Sequence, residues 1–393
     1  MVIHIVTDAL PPTKGGLEIW TDEFADYLVD IGHNVIAYRC GDVPNSEFEI
    51  STKYEICNLA TLRAEWDRPL LQSNRSTERK NFEIWRLNFL ILRGEMRKRL
   101  VEYPNVPHLI FSNFAVTVGY LASLVSQDLS LPHLAMFVGT DFSRGFRNSY
   151  ERGLIREVCL NAYQVVCKSE EQGQALKVTF APKKLTVIPT SVDLLDFEHE
   201  NKSNKSIIRL FSDCGLNYHK GTQVLIQSVL SLISEGLPIH LTICGAEGVS
   251  ETEYWDDYVN KVKIESAGSI EFLGYITRNE IKKLLLDSSI YCSATLGEGS
   301  SAARIRAICC GIPVVTTRCG EFVNEIENDV SHVFLSDPAD SEAFKQCIRE
   351  AIMKIINGKL NIDWNSVRNW QNKFSRSNEL LAWSALLNEL NII

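Results

Sequence analysis

Several absences narrow the possibilities before any motif is read. Among eleven cysteines, scattered from Cys40 to Cys347, there is no CxxC pair, so neither a zinc cage nor a paired redox motif is expected. An odd, dispersed set predicts reduced, mostly buried thiols in a cytosolic setting. No apolar run approaches the ~18 residues of a membrane span, and no leader is expected because Met1–Thr7 is itself a strand candidate (VIHIV). Basic charge is in deficit: 40 Lys and Arg against 49 Asp and Glu give −9, where general nucleic-acid binding needs a basic footprint. Internal repeats, low-complexity tracts and extended tails are missing too. These absences leave a soluble or at most peripheral protein, resident in the cytoplasm.

What is present fits a folded chain of two domains. The 393 residues are 45% apolar and 23% charged, enough to bury two separate cores. Short β-rich apolar runs alternate with helix-length amphipathic runs, which signals parallel βαβ units. VIHIV is followed by Gly15–Gly16, a helix near Leu17–Ile31 and NVIAYR; HLIFSN (108–113), HLAMFV (133–138), AYQVVCKS (162–169) and LTVIPTS (185–191) come later. The polar stretch Glu198–Ser206 (EHENKSNKS) interrupts the pattern and reads as a linker. Beyond it the alternation restarts with IIRLFS, a helix near Thr222–Glu235, LTICG, IEFLG, SIYCSA and IPVVTT. The predicted architecture is two doubly wound domains, 1–197 and 207–374, joined by 198–206 and facing a central cleft. A C-terminal helix, about 375–393, is expected to dock back on the first domain.

The richest chemistry lies between Glu271 and Val315. There a strand candidate (Ser289–Cys292) leads through Gly297-Glu298-Gly299-Ser300-Ser301 into a helix. Free N–H groups and the positive end of a helix attract phosphate, while the carboxylate of Glu298 can accept hydrogen bonds from sugar hydroxyls. This set therefore suits a sugar joined to a phosphate, although an ordinary capped strand–helix unit would read the same way. Cys309–Cys310, in the helix that follows, is read as core. Gly15–Gly16 and Lys220–Gly221 also fall where a strand gives way to a helix, the first allowing close backbone approach and the second adding an ammonium for diphosphate.

One segment departs from the acidic background. Arg75–Arg99 holds eight basic residues against Glu78, Glu83 and Glu95, a local +5, with Phe82, Trp85, Phe89, Leu90 and Leu92 interleaved. Such a helix can lie on an anionic membrane or pack on the sheet with its charged face in water.

In order along the chain, these segments resemble the retaining glycosyltransferases of family 4, which have the two-domain GT-B fold. PPTKGGLEIWTDEFADYLVDIGHNVIAY looks like the family's P-x-x-GG-x-E opening and GH-x-V strand, and FVGTDFSR like its H-G-T-D strand end. CKSEEQ and KKLTVIPTSVDLLDF are similar to its S-E and V-I-P-N-G-V-D-x-x-x-F segments. HKGTQVLIQSVLSL, EGSSAARIRAICCGIPVV and RCGEFVNEI complete the series. The resemblance implies transfer of a sugar from a nucleotide-diphosphate donor to an acceptor hydroxyl, with retention and without a required metal or cofactor, in bacterial surface glycan or glycoconjugate assembly. It implies Asp141, Lys220 and Glu298 as catalytic residues, with Gly15, Gly16, Gly221, Gly299, Ser300, Ser301, Arg306 and Glu325 around the donor. The acceptor would be a glycan or a lipid-linked one, reached at the inner face of the membrane if 75–99 contacts it.

The chain also departs from the family pattern. Arg306 stands where the family has a second, ribose-binding acid, Gly215 where it has an Arg, Val138 for a His or Arg, and Thr190–Ser191 for Asn-Gly. Two accounts follow. Arg306, with Arg304 near it, supplies the lost positive charge to the diphosphate; or the chain is a catalytically silent subunit that recognises a glycan or supports a partner transferase.

Overall fold

The computed structural model describes residues 1–11, 16–40, 53–59, 75–139, 149–192, 207–245, 252–297 and 301–390, and the expected linker lies outside them. The chain divides into two compact units, one formed by Met1–Ile188 with Ala385–Ile393 and the other by Pro189–Ser384.

The first unit is built on strands β1 (Val2–Thr7), β2 (Asn34–Cys40), β3 (Glu55–Leu59), β4 (His108–Ser112), β5 (His133–Met136), β6 (Gln164–Cys167) and β7 (Leu185–Val187). They run parallel in the order β3-β2-β1-β4-β5-β6-β7. β1 is buried at all six positions, as expected of a parallel strand covered on both faces. His4 and Thr7 are its polar residues, and His4 sits mid-strand. Its ring nitrogens are satisfied by Tyr38 Oη at 3.0 Å and His108 Nδ1 at 2.9 Å. The helices are α1 (Gly16–Asp30), α2 (Arg75–Glu102), α3 (Val118–Leu129), α4 (Ser149–Asn161) and α5 (Glu170–Phe180). α1 buries Trp20, Phe24, Ala25 and Leu28, one stripe at helical spacing.

α2 packs Trp85, Leu92 and Met96 into the core of this unit. Arg86, Arg93, Arg97, Lys98 and Arg99 on it each lie within ion-pair distance of an acid: Glu83, Asp128, Asp128 again, Glu95, and Glu55 with Glu102. Two of those acids, Glu55 and Asp128, come from outside the helix and offset part of its local positive excess. Leu87, Leu90 and Val101 remain exposed on it.

The second unit carries β8 (Ile208–Ser212), β9 (Ile239–Ile243), β10 (Ile270–Phe272), β11 (Ile290–Ser293), β12 (Val314–Thr317) and β13 (Val333–Ser336), parallel in the order β10-β9-β8-β11-β12-β13. Helices α6 (Thr222–Ser234), α7 (Thr252–Glu265), α8 (Arg278–Asp287), α9 (Ala302–Cys309), α10 (Val323–Asp329), α11 (Ser341–Ile356) and α12 (Trp364–Lys373) accompany it, and α13 (Arg376–Leu390) begins in this unit and ends, from Ala385, in the first. Two cores form because successive strand residues point to opposite faces. Leu210, Leu225, Leu241 and Phe344 meet on one face, and Phe211, Tyr291, Ile305 and Phe374 on the other. Strand order reverses between β8 and β11, the position where doubly wound sheets open a crevice at their carboxyl ends.

Six of the eleven cysteines are buried, five are half-buried and none is in a disulfide. Burial pushes the Cys309 thiol up to about 12 and raises that of Cys310 as well, which suits packing and not nucleophilic chemistry. No helix among the described residues is long and apolar enough to cross a membrane.

Candidate functional site

At the carboxyl end of β8 the chain leaves the sheet through Asp213-Cys214-Gly215. The ladder persists one step further, with Cys244 N–H donating to Ser212 O and Gly215 N–H to Cys244 O, both at 2.9 Å. Asn217 Oδ1 then accepts the His219 N–H at 2.8 Å and starts a single 3-10 turn, Tyr218–Lys220. Gly221 ends that turn at φ +64° and leads into α6. A Cβ on Gly221 would stand 1.8 Å from Ala294 O, so glycine is required here by both dihedral and space.

The loop after β11 is stitched to this turn. Leu296 N–H and Thr295 Oγ1 both donate to His219 O, at 2.9 and 3.3 Å. Thr317 Oγ1, at the end of β12, donates to Thr295 O at 2.6 Å. The ends of β8, β11 and β12 are thereby fixed to one another. Half-buried Lys220 stands on the last position of the turn they hold.

Ser301 is buried and caps α9 by accepting the Arg304 N–H at 3.4 Å. The Arg304 guanidinium is itself buried and donates to Cys319 O at 2.9 Å and Glu321 O at 2.7 Å. Its charge is used to hold the loop after β12, which corrects the reading that it could serve a diphosphate. Arg306 turns the other way. Its Nη1 lies 3.8 Å from Asp213 Oδ2, and Asp213 Oδ1 accepts the Tyr291 hydroxyl at 2.7 Å. Glu325, in the first turn of α10, is ion-paired with Lys373, whose ammonium also sits 4.8 Å above the Phe322 ring.

Of the residues singled out from the sequence, Lys220, Gly221, Ser301 and Arg306 are gathered at the carboxyl edge of the second sheet. Gly16 opens α1 in the first unit, exposed, and a Cβ there would meet nothing within 4 Å. Gly15, Asp141, Glu298, Gly299 and Ser300 lie outside the described residues. Asp213 and Tyr291 are additions that the sequence reading does not contain. The available signal is an acid placed directly after a strand, in FSD. Among the described residues no three His, Cys, Asp or Glu side chains gather to hold a metal ion.

Two doubly wound parallel sheets in one chain, one carrying a glycine turn, a lysine and a capped helix at its strand-order reversal, define a GT-B-type protein. The description "Glycosyl transferases group 1" matches residues 210–354 and "Glycosyltransferase Family 4" matches residues 14–195. The chain belongs to this glycosyltransferase family. It is similar to one component of the human phosphatidylinositol N-acetylglucosaminyltransferase, 21% identical over 360 residues that span 91% of this chain and 70% of the human protein. Among solved structures, sucrose-phosphate synthase from Thermosynechococcus elongatus matches with a TM-score of 0.76 at 16% identity, over 100% of this chain and 99% of the other. Anabaena HepE in complex with UDP matches at 0.70 and 14%, over the whole of both chains.

Proposed function

We propose that this glycosyltransferase moves a sugar from a nucleoside-diphosphate sugar to an acceptor hydroxyl, with retention at the anomeric carbon, in glycoconjugate assembly. The observation that carries the reading is the stitched turn at the β8/β11 reversal, which holds Lys220 at the carboxyl end of the second sheet. A departing diphosphate gathers negative charge, so catalysis needs a pre-placed cation and oriented N–H groups. Lys220 and the amides at the start of α9 supply these. Glu298, Gly299 and Ser300 hold the donor sugar and its phosphates, Gly221 lets the turn close, and Glu325 borders the same pocket. Asp141, Gly15 and Gly16 belong to the acceptor side, where Asp141 orients the attacking hydroxyl or takes its proton. The UDP in the HepE structure supports a nucleotide donor. The human relative's name supports a lipid-linked acceptor, for which exposed Leu87, Leu90 and Val101 on α2 offer a surface contact.

The test begins with thermal melts against UDP, GDP, ADP, CDP and dTDP, with and without magnesium. A nucleotide at one hundred times its Kd should add about 2.7 kcal/mol to stability. Lys220→Ala should abolish that response and lower transfer of labelled sugar into lipid-extractable product more than tenfold, with the fold intact. Co-sedimentation with anionic vesicles at low salt tests the surface contact, and protein that stays in the supernatant removes it. No response to any nucleotide would turn the assignment to the catalytically silent role, and melts against glycans would follow.

A further inference from the structure

The pair between Glu325 and Lys373 is built more elaborately than an ion pair of its exposure requires. Both side chains are partly in water, 32% exposed for Glu325 and 35% for Lys373, and pairs so exposed add little to stability. Yet the Lys373 ammonium lies over three rings, 4.8 Å from the centroid of Phe322, 5.5 Å from Phe374 and 6.0 Å from Trp370. All three rings are buried and pack on one another, so they hold the cation in one place. The helix that ends at Lys373 is tied down as well. Gln371 Nε2 donates to Cys309 O at 2.7 Å, and Phe374 O, just past α12, accepts the Val192 N–H at 3.0 Å.

What the lysine holds follows the loop after β12, at the carboxyl edge of the sheet. Phe322 immediately precedes α10 and has φ +65°, a left-handed conformation that a bulky side chain avoids. Such strain persists only where the surroundings impose it. Arg304 fixes the loop through Cys319 O and Glu321 O, while Trp370 and Phe374 meet the Phe322 ring edge-on at 6.3 and 5.1 Å. Glu325 stands in the first turn of α10, at the position where a glutamate ordinarily folds back on the helix start. Here its carboxylate is drawn to Lys373 of α12. An arrangement that adds little stability but fixes direction serves to aim a side chain. We propose that Lys373 is a positioning residue for sugar transfer, holding the Glu325 carboxylate and the start of α10 in the orientation that the donor sugar meets. The proposal rests on the donor assignment above and adds a residue that acts only through Glu325.

The experiment pairs calorimetric binding of UDP, GDP, ADP, CDP and dTDP to the full chain with turnover of the glucose, N-acetylglucosamine and mannose conjugates of whichever binds. Turnover is read as nucleoside diphosphate released. Lys373→Met keeps an apolar stem on the rings and loses the charge. It should lower kcat about tenfold, while the Kd of the free nucleotide and the thermal melt stay at their wild-type values. Lys373→Arg, which keeps both the pair and a cation over the rings, should restore most of the rate. Glu325→Gln should match Lys373→Met, and the double variant should lose no more than either alone, because both changes break one contact. Wild-type turnover in Lys373→Met overturns the proposal, as do losses that multiply in the double variant. A lowered melt with nucleotide binding and turnover weakened alike, unrelieved by arginine, also overturns it and leaves the lysine a clamp on the fold. A wild-type chain that binds no nucleotide, or binds one and turns over none of its conjugates, refutes the transfer reading itself, a separate and distinguishable result.

Discussion

Replacing Gly221 by alanine adds a single methyl group, and its consequence can be worked from the backbone. At φ +64° an alanine costs roughly 1–2 kcal/mol relative to a right-handed conformation. Its Cβ would stand 1.8 Å from Ala294 O and 2.6 Å from the carbonyl carbon, so the two segments must part by more than an ångström. Ala294 is buried at the carboxyl end of β11, between β8 and β12, and has nowhere to go. The turn therefore moves, and the two bonds from Leu296 and Thr295 to His219 O are lost, at about 1 kcal/mol each. Together the terms reach roughly 3–4 kcal/mol, a loss that a fold stable by about 5–15 kcal/mol survives. Urea unfolding should show the lowered midpoint. Nucleotide melts on the folded protein should show the response gone, since Lys220 is carried away with the turn. The same substitution at Gly153, on the exposed side of α4 with nothing within 4 Å of a new Cβ, should instead stabilise by about 0.5–1 kcal/mol. If Gly221→Ala unfolds like wild type, the stitched turn does not hold the site and the reasoning fails.

Arg304→Ala removes a buried guanidinium that donates to two backbone carbonyls and should cost roughly 3–5 kcal/mol. Arg304→Lys should restore little of it, because one ammonium does not reproduce the fork that spans Cys319 O and Glu321 O; a urea midpoint within about 0.5 kcal/mol of wild type for either would refute this. The first unit should be labile to acid. His4 and His133 are wholly buried, and burial holds each imidazole at about 3, far below the ~6.5 of an unfolded chain. Between those values the unfolded chain binds the extra protons, so their contribution is complete above about pH 6.5 and drains away as pH falls toward 3. The loss at pH 5 is roughly 2 kcal/mol per histidine. Urea midpoints between pH 7 and 5 should fall steeply in wild type and less in His133→Asn; parallel curves would rule the histidine out.

Much of the fold is legible in the sequence because the central strands are buried on both faces and read as unbroken apolar runs: VIHIV, IIRLFS and SIYCSA correspond to β1, β8 and β11. β3 escapes notice for the complementary reason. As an edge strand it needs only part of its surface buried, and EICNL carries Glu55 and Asn58 among its apolar residues. The turn residues Lys220 and Gly221 stand out because a glycine between strand and helix is a local signal. Pairings between distant residues do not. The basic count on α2 cannot include Glu55 and Asp128, which reach it from β3 and from the end of α3. Nor can the sequence place Asp213 opposite Arg306, 93 residues away, since only the reversal of strand order makes their elements neighbours.

Arg304 and Arg306 show how little residue type says about role. Two positions apart on a helix they point about 200° from one another, so they cannot serve the same ligand group. One guanidinium is buried on the carbonyls of the loop after β12, and the other faces a carboxylate at the end of β8. Neither arginine is left to neutralise a diphosphate in the proposed donor site. That charge then falls to Lys220 and to the positive end of α9, which ranks Lys220 above either arginine for transition-state stabilisation. The Asp213–Arg306 pair is neutral as a whole, so the site is positive at the start of α9 and uncharged a turn further on.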